Sequence, residues 1–145
     1  MNSIIFICLG NICRSSLAEG IAKEVAKKMD LDITIESAGL SRYHNGEPPC
    51  EVSQKIAKKS GIDISAQISK HVSKFDLNSF DLVVAMDESN LIELERLGVK
   101  NLVKLGDFGY DGEDVADLYY YPERASYVYD MLDRAICQIL DRADR

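Results

Sequence analysis

The stretch that decides the fold is SIIFICLGNICRS, residues 3–15. Its first part, Ser3–Cys8, is apolar and rich in β-branched side chains, as is typical of a buried central strand. Gly10 and the asparagine after it interrupt this pattern, and Ser15 and Ser16 then offer N-terminal caps for a helix. The stretch therefore predicts a buried strand, a tight loop and the start of a helix.

The rest of the chain repeats this alternation of strand and helix. Strand-like segments lie at residues 33–36, 81–85 and 101–105, and helical patterns run to Met29, from Pro49 to Gly61, from Asp87 to Gly98 and onward from Pro122. Such alternation predicts an α/β fold: a single-domain doubly wound sheet of four parallel strands with helices on both faces. Ligands of such sheets bind at the carboxyl ends of the strands, where the loop after the first strand lies.

Composition and charge narrow the class of protein. The 145 residues, of which 46% are hydrophobic and 28% charged, fit one domain, 1–145, and the pattern indicates no linker or targeting segment. The formal net charge of −7 argues against a nucleic-acid or membrane partner, because phosphate-rich surfaces attract clustered Lys and Arg. The sequence predicts a cytoplasmic protein whose four cysteines are free thiols rather than a disulfide framework.

The segment CLGNICRS, from Cys8 to Ser15 and here called the Cys8 loop, has the features of an anion site. The helix that follows presents unpaired N–H groups, and Gly10 and Asn11 tolerate the left-handed backbone that turns such groups inward. Arg14 can bind two phosphate oxygens with its planar guanidinium. The positive charge of Arg14 and the N–H dipoles also favour the thiolate form of Cys8, which Ser15 can stabilise by a hydrogen bond. The loop therefore predicts a thiolate nucleophile that faces bound phosphate.

The Cys8 loop resembles the N-terminal loop of the low-molecular-weight protein tyrosine phosphatases. Further segments resemble that family in the same order along the chain: Ser37-Ala38-Gly39, Gly61-Ile62-Asp63, Met86-Asp87-Glu88-Ser89-Asn90 and Asp117-Leu118-Tyr119-Tyr120. The resemblance covers nearly the whole chain. It implies hydrolysis of phosphotyrosine and small aryl phosphates, with a phosphotyrosine-containing protein as the partner and with no metal or cofactor.

By this resemblance, three side chains carry the reaction. Cys8 attacks phosphorus and forms a phosphocysteine, while Arg14 and the backbone N–H groups of residues 9–15 bind the phosphate. Asp117 protonates the departing oxygen and then activates water as a base. It lies in a long aperiodic segment, residues 106–121, here called the Asp117 loop.

The resemblance also implies residues that support the site or bind substrate. Asn11, Ser15 and Ser37 resemble the polar side chains that hold the loop in shape. The substrate pocket is expected to combine loop residues with aromatic walls that can sandwich a phosphoaryl ring, namely Leu9, Gly10, Ile12, Cys13, Tyr43, Tyr119 and Tyr120.

The remaining cysteines and the two histidines have less specific patterns. In some members of the resembled family, the cysteine that matches Cys13 forms a reversible disulfide with the nucleophile. Cys50 and Cys137 are expected to be buried, unreactive thiols. His44 and His71 lack metal-ligand spacing and are expected to be structural or surface residues.

Four positions depart from the family pattern. Ser16 replaces a common proline, Tyr43 replaces a tryptophan of some members, and Lys70 stands where an arginine is expected. Leu118 replaces the proline of the acid loop. Because proline restricts the backbone, its loss predicts a more mobile Asp117 loop.

Two other functions are open from the sequence. A thioredoxin-coupled arsenate reductase shares this fold and loop, but it needs two further redox cysteines, and residues 51–136 contain none. A non-catalytic phosphotyrosine-binding module would lack the nucleophile or the acid, whereas Cys8, Arg14 and Asp117 are all present. The sequence therefore favours the phosphatase over both alternatives.

Overall fold

A sheet of four parallel strands lies at the centre of the computed structural model, which describes residues 1–143. The strands are β1 (Ser3–Cys8), β2 (Thr34–Gly39), β3 (Leu82–Ala85) and β4 (Leu102–Lys104). Their order across the sheet is β2-β1-β3-β4, and every neighbouring pair is parallel. This arrangement confirms the predicted single-domain α/β fold.

Helices cover both faces of the sheet. They are α1 (Arg14–Lys28), α2 (Glu51–Lys59), α3 (Glu88–Arg96) and α4 (Ala125–Ala143). Alternate side chains of β1 point to opposite faces of the sheet and belong to two separate cores. Ile4 and Phe6 pack with residues of α1 and α4, whereas Ile5 and Ile7 pack with Leu94 of α3. Within residues 1–143, none of these helices is long and apolar enough to cross a membrane.

The strand order explains where a ligand can bind. The chain leaves β1 toward β2 on one side and later returns to place β3 on the other side of β1. The loops after β1 and β3 therefore diverge and leave a crevice at the carboxyl ends of these two strands. Cys8 ends β1, and Asp87 follows shortly after β3, so both lie at this crevice.

Strand β2 is longer than the sequence pattern predicts. The expected strand ends at Glu36, but Ser37, Ala38 and Gly39 continue the parallel pairing, and Gly39 lies opposite Cys8. A Cβ atom on Gly39 would lie 2.9 Å from the Leu9 carbonyl oxygen. The glycine is therefore needed for the close approach of β2 to the Cys8 loop.

The predicted serine caps of α1 are wrong. Cys13 occupies the N-cap position, and no side chain caps this helix. The Ser15 hydroxyl faces Cys8 instead, and the buried Ser16 hydroxyl has no hydrogen-bond partner among residues 1–143. The helical pattern predicted from Asp87 is confirmed in α3, which the Asp87 carboxylate caps by accepting a hydrogen bond of 2.8 Å from the Asn90 N–H.

The cysteines differ most from their predicted states. A disulfide joins Cys13 to Cys50, with 5.3 Å between their Cα atoms, so the expected set of free thiols is wrong. Cys137 is free but exposed, so its predicted burial is wrong as well. The N-terminus of α2 packs onto the Cys8 loop, where the Cys50 N–H donates to the Ile12 carbonyl at 2.6 Å. This contact between distant segments has no local sequence signal.

Candidate active site

Cys8 lies at the bottom of the crevice, with only 2% of its surface exposed. Its Sγ lies 3.0 Å from the Ser15 Oγ and accepts a hydrogen bond of 3.2 Å from the Asn11 N–H. Asn11 has a φ of 58°, the left-handed conformation that its residue type predicts. The loop thus turns the Asn11 N–H toward the sulfur.

A directed chain of hydrogen bonds supports the sulfur from below. The Asn11 Nδ2 donates to both the Ser15 Oγ, at 2.8 Å, and the Ser37 Oγ, at 2.9 Å. The Ser37 hydroxyl then donates to the Glu19 carboxylate at 2.6 Å. Because Ser15 accepts from the amide, its own hydrogen is available to donate to Cys8, which stabilises a thiolate.

Two members of this network were not predicted from sequence. Glu19 is buried, and its second carboxylate oxygen accepts from the Lys23 Nζ at 2.6 Å. The sequence signal for Glu19 is its spacing, since it lies one helical turn after Ser15 and one turn before Lys23. The Lys70 N–H donates to the Asn11 Oδ1 at 3.0 Å, and its ammonium pairs with Glu36 at 3.2 Å, so Lys70 supports the loop through its backbone.

Arg14 is held by three acceptors although only 4% of it is exposed. Its Nη1 donates to the Asp87 Oδ2 at 2.6 Å and to the Val115 carbonyl at 3.3 Å, and its Nη2 lies 3.5 Å from the Asp117 Oδ2. Burial alone lowers the pKa of Arg14, but the charges of Cys8, Asp87 and Asp117 outweigh it and raise that pKa. The guanidinium therefore keeps its charge and a fixed direction.

Asp87 has a second role that sequence reasoning missed. One carboxylate oxygen caps α3, and the other binds Arg14, which is 73 residues away in sequence. Burial raises the pKa of Asp87, but the hydrogen bonds from Arg14 and from the Asn90 N–H outweigh it and hold that pKa below its ordinary value. Asp87 thus links the orientation of Arg14 to the end of β3.

Asp117 approaches the crevice from the Asp117 loop. Its Oδ1 accepts a hydrogen bond of 3.0 Å from the Tyr119 N–H, which leaves Oδ2 on the side of Arg14. The neighbouring Leu118 is 1% exposed and packs into the main core, so its side chain anchors this part of the loop. The sequence did not indicate this anchor, and greater mobility of the Asp117 loop stays a prediction.

Lys104 holds the middle of the Asp117 loop. Its ammonium lies 2.7 Å from the Asp114 Oδ1 and 3.3 Å from the Glu88 Oε2. Burial lowers the pKa of Lys104, but hydrogen bonds to these two carboxylates outweigh it and raise that pKa. The Val115 N–H also donates to the Met86 carbonyl at 2.9 Å, so the loop is tied to the end of β3.

A pocket of about 350 Å³ opens above Cys8. It is lined by every catalytic and substrate-binding residue that the sequence predicted, namely Cys8, Leu9, Gly10, Ile12, Cys13, Arg14, Tyr43, Asp117, Tyr119 and Tyr120. The supporting residues Asn11, Ser15 and Ser37 lie beneath it. Tyr43 is the most exposed wall, at 83%.

His44 and Ser41 also line this pocket, although the sequence did not single them out as binding residues. The His44 ring lies 4.7 Å from the Tyr43 ring and 5.6 Å from the Tyr119 ring, and its Nδ1 lies 2.9 Å from Glu47. His44 thus has packing contacts of the structural kind that was expected, and it lines the pocket as well. His71 lies outside the pocket and accepts a hydrogen bond from the Ser73 N–H, in agreement with a structural role.

The geometry suits phosphate chemistry that uses side chains and backbone. A partly enclosed thiol, a fixed guanidinium and a carboxylate face one pocket, and the Asn11 N–H and the Ser15 hydroxyl contact the sulfur. Within residues 1–143, no group of three or more His, Cys, Asp or Glu side chains is arranged to hold a metal ion.

Comparisons with known proteins agree with these features. The sequence model of the family described as "Low molecular weight phosphotyrosine protein phosphatase" matches residues 3–145. The low molecular weight protein-tyrosine-phosphatase YfkJ of Bacillus subtilis is 41% identical over 128 residues, which are 83% of this chain and 82% of the relative. PtpA of Staphylococcus aureus, which carries the same family name, is 36% identical over 97% of this chain and 93% of its own.

Solved structures show the same relationship. The crystal structure of Bacillus subtilis YfkJ matches with a TM-score of 0.91 and covers 99% of this chain and 95% of that chain at 36% identity. The structure of DARP, a drosophila arginine phosphatase, matches with a TM-score of 0.90 at 27% identity, covering 100% of this chain and 99% of that chain. The chain described here belongs to the family of low-molecular-weight phosphotyrosine protein phosphatases.

Proposed function

We propose that this chain hydrolyses phosphotyrosine in protein substrates through a phosphocysteine intermediate on Cys8. The observation that carries the proposal is the meeting of Cys8, Arg14 and Asp117 in one pocket with a hydrogen-bonded sulfur at its base. These three groups supply a nucleophile, a fixed positive charge and a proton donor, which are the parts that phosphomonoester transfer requires.

In the first step, the Cys8 thiolate attacks phosphorus and the bond between phosphorus and the phenolic oxygen breaks. The N–H groups of residues 9–15 and the Arg14 guanidinium bind the equatorial oxygens, where negative charge develops. Asp117 gives its proton to the departing oxygen, because a phenolate is a poor leaving group without protonation. The product of this step is a phosphocysteine and a free tyrosine side chain.

In the second step, water attacks the phosphocysteine and Cys8 leaves as a thiolate. Asp117, now a carboxylate, accepts a proton from the attacking water. The Ser15 hydroxyl, 3.0 Å from Sγ, stabilises the departing sulfur. One carboxyl group therefore serves both half-reactions, first as acid and then as base.

The pocket walls favour an aromatic leaving group. The His44 ring contacts both the Tyr43 ring and the Tyr119 ring at the opening, and aliphatic Leu9 and Ile12 line the same pocket. Aromatic and aliphatic walls bind a flat phenyl ring through burial and edge-to-face contacts. A phosphoserine lacks such a ring and is too short to bring its phosphate past these walls.

Hydrolysis of matched phosphopeptides tests this function. One peptide sequence is prepared with phosphotyrosine, phosphoserine or phosphoarginine, the last because a structural relative is named an arginine phosphatase. We expect turnover of the phosphotyrosyl peptide with a much higher kcat/KM than the other two, and none by the Cys8→Ser variant. A preference for phosphoarginine would contradict the proposed substrate class.

Two further measurements separate the alternatives from the proposal. Phosphopeptide binding without turnover by folded wild type would indicate a binding module. Arsenate-dependent oxidation of protein thiols would indicate an arsenate reductase. The Cys8→Ser and Asp117→Ala variants can also retain phosphoproteins from a cell lysate, which identifies the physiological substrate. Location in the cytoplasm stays a prediction.

A further inference from the structure

The disulfide between Cys13 and Cys50 connects the catalytic pocket to a second surface. Cys13 is buried and lines the pocket beside Cys8. Cys50 is half-buried and lies outside that pocket, in a surface groove with Lys55 and Leu118. Cys13 therefore lies between two cysteines. It shares the pocket with the proposed nucleophile Cys8, and it is bonded to Cys50, which lies outside the pocket.

The Cys8 site is complete while this disulfide is present. Cys8 is a free thiol, and its contacts with the Ser15 hydroxyl and the Asn11 N–H are in place. The Cys13 carbonyl also accepts a hydrogen bond of 2.8 Å from the Ser53 hydroxyl of α2, so backbone contacts hold this junction as well. An oxidised Cys13–Cys50 pair is thus compatible with an assembled catalytic site.

We propose that Cys50 is a resolving thiol, which restores Cys8 after its oxidation by a hydroperoxide and stores the oxidation as the Cys13–Cys50 disulfide. The proposal rests on the proposed function in taking Cys8 as the nucleophile. A thiolate that attacks phosphorus also reacts with peroxides, since both reactions use a stabilised thiolate that a small reactant can reach, and Cys8 lines an open pocket. The reactant is a hydroperoxide, and the lasting modification leaves the Cys8 thiol free.

The reaction balances in three steps. The Cys8 thiolate takes a hydroxyl group from the hydroperoxide ROOH, which leaves as an alkoxide and is protonated to ROH, so Cys8 becomes a sulfenic acid. The Cys13 thiol condenses with it: a Cys8–Cys13 disulfide forms, the S–O bond breaks, and water leaves. The Cys50 thiolate then attacks the Cys13 sulfur, and Cys8 departs with the electron pair as a thiolate. Two thiols and one hydroperoxide thus give one disulfide, one alcohol and one water.

The surroundings of the three sulfur atoms set the direction of the last step. In thiol–disulfide exchange, the thiol that is better stabilised as a thiolate leaves more readily. Cys8 has that stabilisation from the Ser15 hydroxyl, the Asn11 N–H and the buried Arg14 charge. Cys50 occupies the N-cap position of α2, where the free N–H groups of the first turn favour the attacking thiolate.

The experiment uses reduced full-length protein and two cysteine variants. Cys50→Ser removes the resolving thiol and keeps a favoured N-cap residue, so α2 should fold normally. Cys137→Ser is the matched control, because it removes the exposed free thiol. Each protein receives one equivalent of hydrogen peroxide, the excess is destroyed with catalase, and turnover of an aryl phosphate is followed without reductant. Non-reducing peptide mass mapping identifies the disulfides.

We expect wild type and Cys137→Ser to regain most of their activity without reductant and to end with the Cys13–Cys50 disulfide. Cys50→Ser should stay severalfold less active until dithiothreitol is added, with its oxidation on Cys8. Equal recovery by Cys50→Ser, a final Cys8–Cys13 disulfide in wild type, or an inactive Cys13–Cys50 form would each overturn the proposal.

Failure of the proposed function has a different signature. In that case, fully reduced wild type would not hydrolyse the aryl phosphate before any peroxide is added. The mass map, together with alkylation of Cys8 by iodoacetamide, would then still decide whether oxidation moves from Cys8 to the Cys13–Cys50 pair.

Discussion

Replacing Asp87 with serine separates its two roles, because serine can cap a helix but cannot reach Arg14. Asp87 accepts from the Arg14 Nη1 at 2.6 Å through one oxygen and from the Asn90 N–H at 2.8 Å through the other. The serine hydroxyl retains the second contact and loses the first. We expect Asp87→Ser to fold normally and to be a poor catalyst.

The size of the effect follows from the contact that is lost. A charge-assisted hydrogen bond contributes about 1.5–3 kcal/mol. If Arg14 needs that contact to face the transition state, kcat/KM should fall by about 10- to 150-fold, at about 1.36 kcal/mol for each factor of ten. Arg14 would also turn toward Asp117, now 3.5 Å away, and hold it away from the leaving group. Substrates with poor leaving groups should therefore lose more activity than substrates with good ones.

The assay combines turnover, anion binding and stability. We expect weaker inhibition by inorganic phosphate in Asp87→Ser and a lower midpoint of urea unfolding, because the buried Arg14 charge loses its 2.6 Å partner. Asp87→Asn, which keeps the shape and loses the charge, should be intermediate in activity. Wild-type kcat/KM and phosphate inhibition in Asp87→Ser would refute the assignment of Asp87 as a positioning residue for Arg14.

Asp87 also predicts a pH dependence of stability. Its pKa in the folded protein lies below its ordinary value of 3.8, chiefly because the hydrogen bonds from Arg14 and Asn90 outweigh the effect of burial. The stabilisation is therefore complete above 3.8 and is lost as the pH falls through the folded pKa. Urea unfolding of Asp87→Asn should show a shallower loss of stability than wild type in this acidic range.

Three further predictions concern the Asp117 loop. Asp117→Asn should lower kcat by about 10²- to 10⁴-fold for aryl phosphates with poor leaving groups and much less for good ones; equal losses would remove Asp117 as the acid. Leu118→Ala should lower the free energy of unfolding by about 2–4 kcal/mol in urea, since it empties a buried site; an unchanged midpoint would show that Leu118 anchors nothing. Lys104→Met should speed amide hydrogen exchange in residues 106–121, and unchanged protection would contradict its role in fixing the loop.

The fold could be predicted because its signals are local. Each strand and helix has its own apolar period and turn residues, and alternation of the two leaves few arrangements other than a parallel sheet. The boundaries that failed are those where one segment depends on another. Strand β2 continues to Gly39 because β1 pairs with it, and the serines after Cys13 serve the sulfur rather than the helix end.

The Cys8 loop was predictable for the same reason: Cys8, Arg14 and Ser15 belong to one strand–loop–helix unit, whose backbone geometry places them together. The partners of these residues come from distant parts of the chain. Asp87 binds Arg14 from 73 residues away, and Cys50 reaches Cys13 from 37 residues away. Sequence spacing has no bearing on such contacts, because they depend on how helices and loops pack against the finished sheet.

The sequence by itself determined the α/β class and the strand–loop–helix unit that contains Cys8, Arg14 and Ser15, on which the proposal of an anion site with a thiol nucleophile is based, since these features depend on neighbouring residues. The tertiary structure alone decided what holds Arg14, how Glu19 is connected to Cys8, and which cysteine pairs with Cys13. These are contacts between side chains that only the packed core brings within hydrogen-bonding or covalent distance. The physical reason is the separation of the interacting residues in sequence. Backbone preferences depend on residues that are neighbours in the chain, whereas packing brings together side chains that are far apart in sequence.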